Sequence, residues 1–286
     1  MTGPRPACEH PETPVHARGS VVWNNIVRTL LLISSTGIAA YAVLIAYVCL
    51  FQAQLIYFPN FPGGALTATP ADIGLDFEEV RITTADRIEL HGWYVGAGAG
   101  APTVLLCHGT PDEQGTYLDA QAAWGYLTDK GRHSPSSIVI VGESLGGPIA
   151  ANLATHVSPG ALVLVSTFTS VPDLARNFYW RLPVRLLARY HYPTAEYVAR
   201  VHAPTLLIHS RTDEIVPFSH AEAIFRSANE PRQLLEIRGD HNSALLMSRQ
   251  QIREGVQRLL EAMLVNTGNR VNPAFTPSHP RVTPRV

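Results

Sequence analysis

The sequence predicts an α/β fold, a mostly parallel sheet with helices on both faces, standing behind an N-terminal apolar helix. Three observations predict it. Short runs of Val, Ile and Leu without a polar break recur between stretches of helical periodicity, the pattern of strands buried on both faces. The run Ile138-Val139-Ile140-Val141 passes with no spacer into Gly142-Glu143-Ser144-Leu145-Gly146, and then into an Ala-rich helical stretch. Residues 30–51 carry no charge, and about 22 residues at ~1.5 Å each are long enough to cross a ~30 Å hydrocarbon layer.

Composition narrows the function classes. The 286 residues suit one α/β domain with appendages. A net charge of −1, with scattered arginines and no basic stripe interleaved with aromatics, points away from nucleic acid as a partner. Cys8, Cys49 and Cys107 are odd in number and without spacing, so no disulfide framework or thiolate metal site is indicated. The 12 histidines show no ligand spacing. Neither a metal nor a cofactor is assigned.

Taken in order, residues 1–28 are a leader containing Arg5, Arg18 and Arg28, and residues 29–52 are the anchor. No Lys or Arg follows until Arg81, so the positive-inside rule puts the amino terminus in the cytoplasm and the rest on the far side of a single-pass membrane protein. The apolar segment exceeds the h-region of a cleaved signal and lies behind a long Pro-rich leader, which favours a retained anchor. A Pro/Gly/Thr-rich linker covers 53–75, and a domain covers 76–265. Alternating residues around Thr84-Ala85-Asp86 predict a hairpin over 78–83 and 88–95. Residues 103–107 read as a short buried strand ending in His108-Gly109. One apolar face over 116–130 reads as a helix that crosses to the strand before Ser144. Strands follow at 161–166, 204–209 and 233–237. Between the first two, the Pro, Trp, Tyr and Arg content of 167–200 predicts short helices forming a small cap. A closing helix is expected over 243–264, and 266–286 is expected to be disordered.

The candidate site residues stand at strand ends. Ser144 sits at the apex of a strand-to-helix turn, where Gly142 and Gly146 avoid collisions with neighbouring backbone, and the Leu145 N–H lies beside it to stabilise negative charge. Two later strands deliver Asp213 and His241 at their carboxyl ends, where open α/β sheets keep their chemistry. Serine, acid and histidine in that order suit a relay in which His241 takes the Ser144 proton, Asp213 orients the imidazole, and Ser144 attacks an acyl carbon. Asp173 is the runner-up acid. Glu214 and Asp240 are read as structural carboxylates.

These residues carry a family resemblance. The chain resembles the membrane-anchored α/β-hydrolase domain proteins grouped with serine aminopeptidase-like hydrolases. The resemblance spans about residues 50–245 and rests on Gln54-Leu55-Ile56-Tyr57-Phe58-Pro59, Leu90-His91-Gly92-Trp93-Tyr94, the 104–109 strand with its His-Gly, the serine turn, Phe168-Thr169-Ser170-Val171-Pro172-Asp173, the 209–217 segment and His241-Asn242. It implies an α/β-hydrolase fold that cleaves an ester, thioester or related acyl bond, often in a lipid-like substrate. The chain departs from the family after His108-Gly109. Residues 110–115 lead straight into the next helix, so about one helix and one strand, roughly 30 residues, are absent. The strand 103–107 is then either open to solvent or paired with the 88–95 strand. The second oxyanion donor falls to the Thr110 N–H, which Pro111 restricts to extended backbone. Two alternatives follow: a truncated, weakly active or inactive hydrolase-fold protein, and a membrane-tethered binding module.

Overall fold

The computed structural model describes residues 15–57, 69–96, 101–107, 113–129 and 132–266. The chain divides into two compact units between Phe51 and Gln52. The first is the helix α1 (Val15–Leu50), whose stretch Val22–Leu50 has 29 residues, a mean hydropathy of 2.0 and no burial inside protein. By length and composition it is a membrane span or a signal sequence. Residues 58–68, in the expected linker, and 267–286, in the expected tail, lie outside the described residues.

The second unit opens on α2 (Gln52–Tyr57) and the hairpin β1 (Phe77–Thr83) and β2 (Glu89–Val95). The hairpin pairs in register from Phe77 opposite Val95 to Thr83 opposite Glu89. Thr84 closes it, because its hydroxyl accepts from the Ile88 N–H while its backbone N–H donates to the Ile88 carbonyl. A five-stranded parallel sheet follows in chain order: β3 (Thr103–Cys107), β4 (Ile138–Glu143), β5 (Ala161–Val165), β6 (Thr205–Ser210) and β7 (Arg232–Ile237). The apolar runs form these strands because helices cover both faces and leave no side of a central strand for polar residues.

Period-two alternation sorts the strand side chains between two cores. Ile140, Leu162, Leu164 and Leu207 face α3 (Glu113–Thr128), α4 (Gly146–His156), α7 (Thr194–Val198) and α8 (Phe218–Ser227). Val139, Val163, Leu206 and Ile208 face Leu259 and Met263 of α10 (Arg249–Asn266). The segment predicted as a cap forms α5 (Val171–Phe178), α6 (Val184–Leu187) and then α7. Ser170 caps α5 by accepting from the Asp173 N–H, and Pro172 occupies the first turn.

The structure differs from expectation at the closing helix and in the exposure of strand 103–107, which was expected to be buried. The closing helix is broken into α9 (Ala244–Met247) and α10, because the buried Ser248 hydroxyl accepts from the Arg238 N–H and donates to the Arg238 carbonyl, tying the chain to the end of β7. Of the two fates open to the 103–107 strand, the structure adopts the first: β3 is an edge strand, and the hairpin forms a separate two-stranded sheet. Val104 and Leu106 on that edge are 60% and 63% exposed. No described helix covers them.

Candidate active site

Ser144 follows β4 directly. Its φ of +50° lies in the left-handed region that non-glycine residues avoid, so the turn is strained and projects the side chain away from the chain path. The tight approach explains the flanking glycines. A Cβ on Gly142 would lie 2.3 Å from the Gly146 carbonyl oxygen, and one on Gly147 would lie 2.1 Å from the Thr167 hydroxyl. Thr167 also donates to the Ser144 carbonyl at 2.7 Å, and the Ser144 N–H donates to the Val165 carbonyl at 2.9 Å. β5 and the residues just past it therefore hold the strained turn in place. Pro148 falls in the first turn of α4, where its missing N–H has no intrahelical partner to lose.

Residues distant along the chain meet at this turn. The Ser144 hydroxyl lies 3.2 Å from His241 Nε2, and His241 Nδ1 lies 2.8 Å from Asp213 Oδ2. An ionised carboxylate only accepts, so Nδ1 carries the proton and Nε2 is left to receive one from the serine. The other Asp213 oxygen accepts from the Ile215 and Val216 N–H groups at 3.0 and 2.7 Å. Burial opposes the Asp213 charge, but the hydrogen bond from His241 and those two amides outweigh it and hold its carboxyl below the usual value. The Asp213 hydrogen bond raises the His241 pKa, although burial opposes this.

The other sequence candidates have different surroundings. Asp173 accepts from Arg185 at 2.9 Å and gives its backbone N–H to the capping Ser170 hydroxyl, and Asp213 is the carboxylate on His241. Glu214 accepts from the His241 backbone N–H at 3.0 Å, and Asp240 accepts from the Asn242 and Ser243 N–H groups, so both shape the loop that carries His241. Leu145 precedes the first residue of α4, beside Ser144. Thr110 lies outside the described residues. Cys107 is buried and its thiol is pushed up to about 12, so it stays protonated. No cluster of metal-ligating side chains occurs among the described residues.

Sequence reasoning missed His209. It is fully buried on β6, and its Nε2 donates to the Val216 carbonyl at 2.8 Å while lying 3.6 Å from Asp213 Oδ2. Burial lowers its pKa and keeps the ring neutral. His209 thus braces the turn whose amides grip Asp213. Its place four residues before Asp213 was visible, but a histidine ending an apolar strand carries no signal of such a bond.

The chain is similar to known proteins. The prolyl oligopeptidase family pattern matches residues 110–259. An uncharacterized protein of Mycobacterium tuberculosis H37Rv is 31% identical over 271 aligned positions, covering 82% of this chain and 95% of that protein. Those positions outnumber the residues this chain contributes, so parts of the relative stand opposite gaps here. The α/β-hydrolase domain-containing protein WAV2 of Arabidopsis thaliana is 27% identical over 67% of this chain and 79% of its own length. Among solved structures, an esterase of Pyrococcus furiosus superposes with a TM-score of 0.58 at 17% identity, over 71% of this chain and 96% of its own. A puromycin hydrolase gives 0.54 at 14% identity, over 73% of this chain and 42% of its own. With a parallel sheet, a strained serine turn and a matched pattern over more than half its length, the chain belongs to the prolyl oligopeptidase family of α/β-hydrolases.

Proposed function

We propose that the chain is a membrane-anchored serine hydrolase that cleaves an ester, thioester or related acyl bond with Ser144, His241 and Asp213. The observation that carries the reading is the continuous run of hydrogen bonds, 3.2 Å from Ser144 to His241 and 2.8 Å from His241 to Asp213. In this mechanism Ser144 attacks the acyl carbon and His241 Nε2 takes the hydroxyl proton. Asp213 stabilises the resulting imidazolium. Collapse of the tetrahedral adduct expels the alcohol or thiol, which leaves with the proton from His241. Water then attacks the acyl-serine with His241 again as base, releasing the acid and restoring the serine. The Leu145 N–H and the Thr110 N–H are the donors to the developing oxyanion.

α1 holds the enzyme in the membrane as a single pass, with the amino terminus in the cytoplasm and the hydrolase unit on the opposite side. The support is the 29-residue apolar stretch together with three arginines ahead of it and none behind it until Arg81. The substrate is a small acyl compound, lipid-like in keeping with an enzyme placed at a bilayer.

The test is fluorophosphonate labelling of the full chain in detergent. Ser144 is expected to be labelled in native protein, and neither heat-denatured protein nor Ser144→Ala is expected to react. Equal blankness of native and denatured protein would sink the reading. One observation favours a second reading, a weakly active or inactive fold acting as a tethered binding module: among the described residues β3 ends the sheet, with no further strand beside it. Ligand affinity unchanged by Ser144→Ala, with no turnover of any acyl ester, would favour it.

A further inference from the structure

Directly after the apolar run, Gln52 opens the second unit, and its side chain is buried rather than left in solvent. Its amide nitrogen donates to the Leu187 carbonyl at 2.6 Å, and its amide oxygen accepts from the Arg189 N–H at 2.8 Å. Both partners belong to the cap, more than 130 residues away in sequence. A buried amide with both ends used is a defined clasp. It joins the cap backbone to the first residue past the apolar stretch.

The cap surface near this clasp is unusual for a protein facing water. Trp180 is 73% exposed and Leu186 is 87% exposed, with Phe178 and Tyr179 exposed beside Trp180. Residues 174–193 contain four arginines, at 176, 181, 185 and 189, and no acidic residue. The Arg181 guanidinium lies 4.6 Å from the Trp180 ring centre, and Arg185 is held by Asp173. Contrary to the expectation of scattered arginines, arginines and aromatic rings are interspersed here, a combination that suits the headgroup layer of a bilayer, where rings sit at the boundary and guanidinium groups meet phosphates.

We propose that this face of the cap, centred on Trp180 and Leu186, lies on the membrane and binds anionic phospholipid. The proposal rests on the anchor reading above, because the clasp places this segment beside the point where the chain leaves the apolar layer. Continuity with that point, and arginines that outnumber the acidic groups touching the segment, with Asp173 pairing only Arg185, select lipid over a second copy of the chain or a peptide.

The test reconstitutes the full chain in vesicles of phosphatidylcholine with or without phosphatidylglycerol, with bromine on the acyl chains near the headgroup. The Trp180 signal is the difference in emission between wild type and Trp180→Phe. Roughly half of that signal is expected to be quenched in anionic vesicles, as for a ring at the interface. The quenching is expected to weaken in the double variant Arg176→Glu, Arg189→Glu. Full Trp180 emission in vesicles that retain the chain through an alkaline carbonate wash would overturn this surface alone. Release of the chain by that wash would overturn the anchor and this surface together.

Discussion

At the scale of single residues, the site depends on who donates to whom. In the proposed mechanism His241 is a base only while its Nε2 is unprotonated, and its hydrogen bond to Asp213 raises its pKa above the ordinary 6.5. The rate of acyl hydrolysis is therefore expected to fall as pH drops through a midpoint above 6.5, with the midpoint shifting down in Asp213→Asn; pH profiles of kcat/KM check this. The same pair contributes to stability with two signs. The Asp213 contribution is complete above the ordinary carboxylate value of 3.8 and is lost as pH falls through its lower folded value. The His241 contribution is complete below 6.5 and is lost as pH rises through its higher folded value. The Tm advantage of wild type over Asp213→Asn is thus expected to be largest between those two values. Ser144→Ala is expected to lower kcat by about 10⁴-fold or more while leaving the Tm in place, measured with a short-chain ester. For His209, loss of its donor strands the buried Val216 carbonyl. His209→Leu is expected to cost about 1–3 kcal/mol in denaturant unfolding and to slow fluorophosphonate labelling of Ser144, and His209→Gln less of both.

At the scale of elements, three strand ends and one tight turn bring the groups together. β4 delivers Ser144, the turn after β6 presents Asp213, and the loop after β7 brings His241 back across 97 residues of sequence. The buried apolar runs made β4, β5 and β6 legible, because a strand covered on both faces tolerates only apolar residues. The hairpin was legible for the opposite reason: its half-exposed strands alternate. What the pattern did not decide was the partner of β3. Edge or centre depends on whether another strand docks there, and an apolar run reads the same in either place. The outcome leaves Val104 and Leu106 on an open edge that invites pairing between molecules. Leu106→Lys is expected to suppress the aggregation of detergent-purified protein, followed by light scattering, with little change in Tm, since the side chain it replaces is already mostly exposed.

At the scale of the whole molecule, the reading requires α1 to hold the chain in a bilayer with its leader on the cytoplasmic side. The three cysteines provide a test. Cys107 is buried and Cys49 belongs to the apolar stretch, so labelling of Cys8 in the leader is the readout of the side on which the leader lies. A membrane-impermeant maleimide is expected to label Cys8 only after the cells are permeabilised. A cysteine placed at Ser278 is expected to be labelled in intact cells, and the reverse pattern would invert the topology.

The sequence by itself determined the α/β class, the apolar helix, the serine turn and the chain order of serine, acid and histidine. Each of these is written in local composition and spacing, which short-range sterics and hydrophobic burial translate directly into structure. Only the tertiary structure decided that β3 is an edge, that Ser248 breaks the closing helix, that His209 braces the grip on Asp213, and that Gln52 clasps the cap. Each of these is one polar or packing contact between segments far apart in the chain, and no local pattern encodes which distant group will stand within 3 Å.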